Sequence, residues 1–197
     1  RASVFGEGGN LGATKAGRVA YHLQGGRINT DAVDNAGGVN LSDREVNLKV
    51  LFSPLVRANK ITLDERNTVL QAATQEVDDK VLHDNELQCL RISLDQIRSK
   101  RDIDVFARCQ NRLVVAEILN STHEVLPTAE VLYERREAEM GYARPELSIL
   151  GAYVKMSVYR ALLECNLSVD EWDRSLLNAY FPAVISKSFS KALDEHM

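Results

Sequence analysis

Two asparagines and a serine stand beside this chain's glycines in a pattern suited to holding a polar ligand. Asn10 lies in the run Gly6-Glu7-Gly8-Gly9-Asn10-Leu11-Gly12, Asn35 opens Asn35-Ala36-Gly37-Gly38-Val39, and Ser42 follows the second run. An asparagine amide offers both a donor and an acceptor, which suits a carboxamide or a sugar hydroxyl. Glycine has no Cβ, so main-chain N–H groups beside it can face a phosphate or a ring closely. Thr14 after the first run and Ser42 after the second are each expected to open a helix, so each run should end at a helix's positive pole. Two tight turns without a ligand are the plainer reading of the same residues. Nine of the eleven glycines fall in the first 38 residues, and that concentration favours a site.

The elements around these residues read as a short strand, a glycine loop and a helix. Ser3–Phe5 and Arg27–Asn29 are strand candidates, linked by a helix from about Lys15 to Gln24 that Gly25-Gly26 should end. A second helix is expected from Ser42, stopping or bending at Pro54. Beyond it glycine nearly vanishes and helical spacing takes over. Thr62 and Glu65 form a capping-box pattern before a helix running into the His83 region, which Gln88–Ile97 extends or restarts. Asp102 or Asp104 should cap a helix carrying Phe106, Cys109, Leu113 and Ala116, and Thr128 one that Gly141 closes. Pro145 suits the first turn of the next, where Leu147, Leu150, Val154, Val158 and Leu162 are expected to be buried. Ser168 with Glu171 makes another capping pattern ahead of Trp172, Leu176, Tyr180 and Phe181. The fold class is mainly α: a helical C-terminal region attached to a β-α-β portion of an open parallel sheet. The expected boundary separates residues 1–52 from a helical C-terminal domain of residues 53–197.

Composition excludes several classes of partner. Net charge is −4, with six basic and five acidic residues up to Phe52, so no basic block invites nucleic acid or an anionic membrane. No apolar run approaches a membrane span. Cys89, Cys109 and Cys165 are expected to be reduced core thiols, and a soluble, cytoplasmic protein follows. The four histidines have no second histidine or cysteine at helical spacing, so no metal site is expected. Arg1 opens the chain and Gly6 follows only a strand ending, so the chain is expected to begin inside a domain.

The run Glu7-Gly8-Gly9-Asn10 with Thr14, then Asp31, Asn35-Ala36-Gly37-Gly38-Val39, Ser42 and Glu45, resembles the end of the nucleotide domain of glutamate dehydrogenases. The small enzymes of that family carry Glu-Gly-Ala-Asn, Thr, Pro-Asp, Asn-Ala-Gly-Gly-Val and Ser-Tyr-Phe-Glu in this order. Here Gly9 replaces the Ala, Thr30 the Pro, and Asp43-Arg44 the Tyr-Phe. Val81-Leu82-His83-Asp84-Asn85, Arg144-Pro145-Glu146-Leu147 and Tyr180-Phe181-Pro182 look like the helical tail of the large bacterial NAD-specific enzymes. The resemblance implies that residues 1–52 are the C-terminal edge, the last β-α-β portion, of a Rossmann-like nucleotide domain, with NAD as cofactor held by Gly8, Gly9, Asn10 and Asn35, and it implies that Ser42 binds the substrate carboxylate. Asp31 and Glu45 match motif positions and read as structural. L-glutamate and 2-oxoglutarate are the implied substrates, and a homo-oligomer is expected of the full-length enzyme.

A rival reading makes Gly6, Gly8 and Gly12 a dinucleotide fingerprint with Asp31 holding the ribose, but the further βα alternation that such a domain requires is not found downstream. In the family, the fingerprint and the catalytic lysine stand upstream of what corresponds to Arg1, so the isolated chain is expected to be inactive, with no catalytic residue of its own. Lys15 and Lys49 read as solvated faces. The alternative function is a non-catalytic helical interaction or oligomerisation module.

Overall fold

Local capping chemistry sets where several of the helices begin. In the computed structural model, which describes residues 2–165 and 171–195, the Thr14 hydroxyl accepts from the Gly17 N–H at 3.0 Å and opens α1 (Lys15–Leu23). Gln24 caps its end, and Gly25 follows at φ +86°, a left-handed conformation that glycine adopts without a Cβ clash. A parallel bridge pairs Val4 with Arg27, the Phe5 N–H donating to Arg27 O and the Arg27 N–H to Ser3 O, each at 2.9 Å. The two expected strands thus reduce to one bridge. An isolated pair of extended segments gains too few ladder bonds to propagate.

The second glycine run is helical, which corrects the expected loop and the expected start at Ser42. Helix α2 (Asp31–Asp34) ends at Asn35, and α3 (Ala36–Arg57) starts at the next residue, leaving Ser42 exposed well inside α3. The place favours glycine at 37 because a Cβ there would stand 3.2 Å from Asn85 Nδ2. Its smallness serves the approach of a neighbouring helix. Nor does α3 stop at Pro54: burial of Leu51, Phe52 and Leu55 outweighs the one hydrogen bond that the ring removes.

Helix α4 (Leu63–Arg101) carries the expected capping box, with the Thr62 N–H donating to Glu65 Oε2 at 2.7 Å and the Glu65 N–H to Thr62 Oγ1 at 3.1 Å. Gln88–Ile97 continues it without a break. Asp102 caps α5 (Ile103–Val115), and Thr128 caps α6 (Ala129–Glu137). Helix α6 closes at Ala138, ahead of Gly141. A Cβ on Gly141 would meet Ser99 Oγ at 2.5 Å, so this glycine permits a close approach to α4 and is not the helix stop. Helix α7 (Arg144–Glu164) has Pro145 in its first turn, and α8 (Glu171–Tyr180), α9 (Ala183–Ser188) and α10 (Ser190–Asp194) follow. The expected Ser168–Glu171 cap and the Trp172 side chain lie outside what the structure describes.

By contact the chain divides into two compact units, residues 1–36 with 86–166 and residues 37–85 with 167–197. The first holds two apolar clusters, Val33, Ile92, Ile103, Tyr142 and Leu147 in one, and Leu113, Leu119, Leu126, Ile149 and Leu150 in the other. The second unit is built on Leu51, Phe52, Leu55, Ala73, Phe181, Ile185 and Leu193. Along α7 the expected stripe is only half buried. Leu147 and Leu150 are 2% and 3% exposed and Val154 is half-buried, but Val158 and Leu162 are 52% and 51% exposed. Helix α7 is buried on nearly all sides from Pro145 to Leu150 and emerges after that, a change that spacing alone does not encode. Cys165 is likewise exposed rather than a core thiol, while Cys89 and Cys109 are half-buried and burial pushes the Cys109 thiol up. Among the described residues no helix is long and apolar enough to cross a membrane.

Candidate functional site

The first glycine run is held from beneath by a buried arginine. Arg18 on α1 is 2% exposed and pairs with the Glu7 carboxylate, donating also to Asn29 O at 3.1 Å and Ala13 O at 3.3 Å. The other Glu7 oxygen accepts from the Gly12 N–H at 2.6 Å, and a Cβ on Gly12 would stand 2.8 Å from that oxygen. Glu7 therefore ties both ends of the loop to α1. Sequence reading missed this pair, whose only signal is a charged residue on the inner face of a short helix.

Asp31 contributes a second tie. Its carboxylate accepts from the Leu11 N–H and the Ala32 N–H, each at 3.0 Å, which fixes Leu11 in the left-handed region at φ 62°. Both carboxylate oxygens are thus taken up by backbone, in keeping with a structural role and against ribose binding. Burial opposes ionisation of Asp31, but these donors and nearby Arg18 outweigh it and hold the carboxyl below its usual range.

On this scaffold Asn10 and Asn35 come together. The Asn35 Nδ2 donates to Asn10 Oδ1 at 2.6 Å and to Gly9 O. Those bonds leave the Asn35 Oδ1 and the Asn10 Nδ2 as an acceptor and a donor for a ligand. Gly8 and Gly9 face open space: a Cβ on either would meet nothing within 4 Å, and neither has a positive φ. Neither packing nor backbone conformation within the described chain requires glycine there. A cleft of about 840 Å³ lies elsewhere, lined by Gln110, Leu126, Leu132 and Tyr133 and by none of the glycine-run residues.

Lys15, expected on a solvated face, is half-buried and pairs with Glu124 at 2.6 Å, whereas Lys49 is exposed and meets Glu45 one turn away at 2.5 Å. Tyr153 donates to the same Glu124 at 2.9 Å. Burial opposes ionisation of Glu124, but Lys15 and Tyr153 outweigh it and hold the carboxyl below the usual range. A depressed carboxyl contributes stability that is present above its unfolded value and lost as pH falls through the lower folded value. Acid unfolding of the wild type below about pH 4 should therefore carry a contribution from this group. Glu124→Gln is expected to lower stability at pH 7 and flatten the acid limb, measured by denaturation at a series of pH values; an unchanged acid limb would remove Glu124 from the account.

In the second unit, exposed Ser42 on α3 is followed by Asp43 and Arg44, which organise two tail motifs. Buried Arg44 donates to Asp84 Oδ2 at 2.8 Å and Tyr180 O at 2.7 Å, and its guanidinium lies 4.7 Å from the Tyr180 ring centre. The Tyr180 hydroxyl donates to Asp43 Oδ2 at 2.7 Å, and burial with that carboxylate pushes it up to about 12. Asp43-Arg44, where small glutamate dehydrogenases have Tyr-Phe, is thereby matched to Asp84 and Tyr180 far along the chain.

Comparison with known proteins accounts for the order of these motifs. Residues 1–95 match the family described as bacterial NAD-glutamate dehydrogenase, catalytic domain, and residues 139–197 match glutamate dehydrogenase, C-terminal. In sequence the chain is similar to the bacterial NAD-glutamate dehydrogenases. It is 40% identical over 196 residues to the NAD-specific glutamate dehydrogenase of Mycobacterium tuberculosis (strain H37Rv) and 39% identical over 196 residues to that of Pseudomonas aeruginosa. With the NAD-specific glutamate dehydrogenase of Halomonas elongata it shares 36% over 193 residues. These alignments take in 98–100% of this chain, which spans 12% of the length of each glutamate dehydrogenase.

Proposed function

We propose that this chain is part of an NAD-dependent glutamate dehydrogenase of the cytoplasm, which converts L-glutamate to 2-oxoglutarate and ammonia. Residues 1–52 are the C-terminal edge of its Rossmann-like NAD-binding domain, and residues 53–197 its helical C-terminal domain. The observation that carries the reading is the bond between Asn10 and Asn35, two family-motif residues 25 positions apart, beside glycines whose Cβ side is open. An acceptor and a donor held in that way fit a carboxamide. NAD, when bound, supplies the acceptor for the substrate's hydride. This chain's part is to bind and orient: Gly8 and Gly9 let the ring approach the backbone, the Asn10 and Asn35 amides fix its rotation, and Ser42 offers a hydroxyl to the substrate carboxylate. Because Ser42 is free of any capping role, its hydroxyl has no competing helix-start duty.

In the full-length enzyme, Asn35→Ala is expected to weaken NAD use by about 1–3 kcal/mol, since it removes an oriented amide and strands its partners. Ser42→Ala should raise the apparent KM for glutamate more than that for NAD. Steady-state kinetics with both substrates varied checks this, and wild-type constants in both variants would sink the site. A second reading, a helical contact module within a homo-oligomer, is favoured by the exposed row Leu87, Leu90, Leu94 and Ile97 on α4, whose three- and four-residue spacing suits another helix. Wild-type kinetics in the two variants would leave that reading standing.

A further inference from the structure

The segment that presents Asn35 does not hold itself. Helix α2 is four residues long, too short to persist on its own hydrogen bonds, and its N-cap Thr30 makes no side-chain capping bond. Its anchors come from elsewhere in the first unit. Val33 is buried in the cluster with Ile92, Tyr142 and Leu147, and the Asn29 Nδ2 donates to Asp34 Oδ1 at 2.9 Å, one residue before Asn35. The Asn29 Oδ1 in turn accepts from Arg144 Nε at 3.0 Å. Arg144, the first residue of α7, is fixed to α4 by donation from Nη1 to Ser93 Oγ at 2.8 Å and from Nη2 to Cys89 O at 3.5 Å. Its three nitrogens thus reach three acceptors at once, which a planar guanidinium can do and a single ammonium cannot.

We infer that Arg144 is a positioning residue for the candidate cofactor site: through Asn29 and Asp34 it sets, from the helical tail, the backbone that presents the Asn35 amide. The inference rests on the cofactor reading above and gives the Arg-Pro-Glu-Leu motif a task at that site. Leu147 and Tyr142 pack the apolar side of the same segment, while Arg144 supplies its polar hold.

The test uses the full-length enzyme with Arg144→Lys, Asn29→Ala and Asn35→Ala. In cofactor-free protein, amides of residues 29–36 should exchange with solvent roughly 10-fold faster in both Arg144→Lys and Asn29→Ala, with α7 itself unchanged, because a local hold is lost without global unfolding. The KM for NAD should rise on the order of 5- to 20-fold in the same two variants, with the KM for glutamate nearly constant, and the double variant Arg144→Lys/Asn29→Ala should be no worse than the more affected single. Wild-type exchange at residues 29–36 in folded Arg144→Lys and Asn29→Ala overturns the inference. So does a raised KM for NAD in Asn35→Ala alone. If Asn35→Ala has no effect on NAD use, the cofactor reading falls instead, and the exchange rates still decide whether Arg144 holds the segment.

Discussion

Glu146→Leu is expected to destabilise the protein by about 3–5 kcal/mol, the range found when one member of a buried ion pair is removed. The Arg135 Nη1 donates to Glu146 Oε2 at 2.6 Å and Nη2 to Oε1 at 2.9 Å, with the two side chains only 9% and 2% exposed. Glu146 also accepts from the Ala143 N–H at 2.7 Å, so the same carboxylate caps α7. Its loss strands a guanidinium in the interior and unties a helix start together. The double variant Arg135→Met/Glu146→Leu removes both charges and should recover most of the loss, leaving mainly the unpaired Ala143 N–H, worth about 1 kcal/mol. Urea denaturation of the wild type, both single variants and the double gives the coupling directly. A double variant as unstable as the sum of the singles would show that the pair is not acting as one unit.

Arg18→Met is the second large effect, expected to cost about 3 kcal/mol because it leaves the Glu7 carboxylate without its partner in a setting where that side chain is 9% exposed. Unlike Glu146, Glu7 sits on a loop that can move toward water. In the folded variant the Gly6–Gly12 run should loosen, so the full-length enzyme should lose NAD affinity beyond what the fall in stability explains at temperatures well below unfolding. Calorimetric NAD titration beside thermal unfolding separates the two. Wild-type NAD affinity in a measurably destabilised Arg18→Met protein would confine the pair to folding.

Where the sequence was legible, the determinant was local. Thr14, Thr62 with Glu65, Asp102, Thr128 and Pro145 each act on backbone within three residues, and each helix begins where they put it. The failures share the opposite property. Ser42 looked like a cap because glycines precede it, yet those glycines lie inside α3, and Gly37 serves the close approach of Asn85, 48 residues away. Val158 and Leu162 keep the spacing of a buried stripe, but spacing specifies a face and not what covers it. At the candidate site, Asn10 and Asn35 were readable from motif order. Their supports were not, because Glu7–Arg18, Asp31–Leu11 and Arg144–Asn29 are pairings of polar groups that only a folded backbone brings within reach.

The interleaving of the two units also governs how this chain is made. Leu51, Phe52, Leu55 and Ala73 share a cluster with Phe181, Ile185 and Leu193, so the earliest of these residues leave the ribosome well over 100 residues ahead of the last. At ordinary synthesis speeds that is a delay of roughly 7–28 s, during which the apolar side chains of the early helices wait without their cover. The nascent chain would be open to chaperone capture or to pairing with a neighbouring nascent copy through that whole interval. A premature stop after α7 would make the exposure permanent, leaving a clear target for proteolysis.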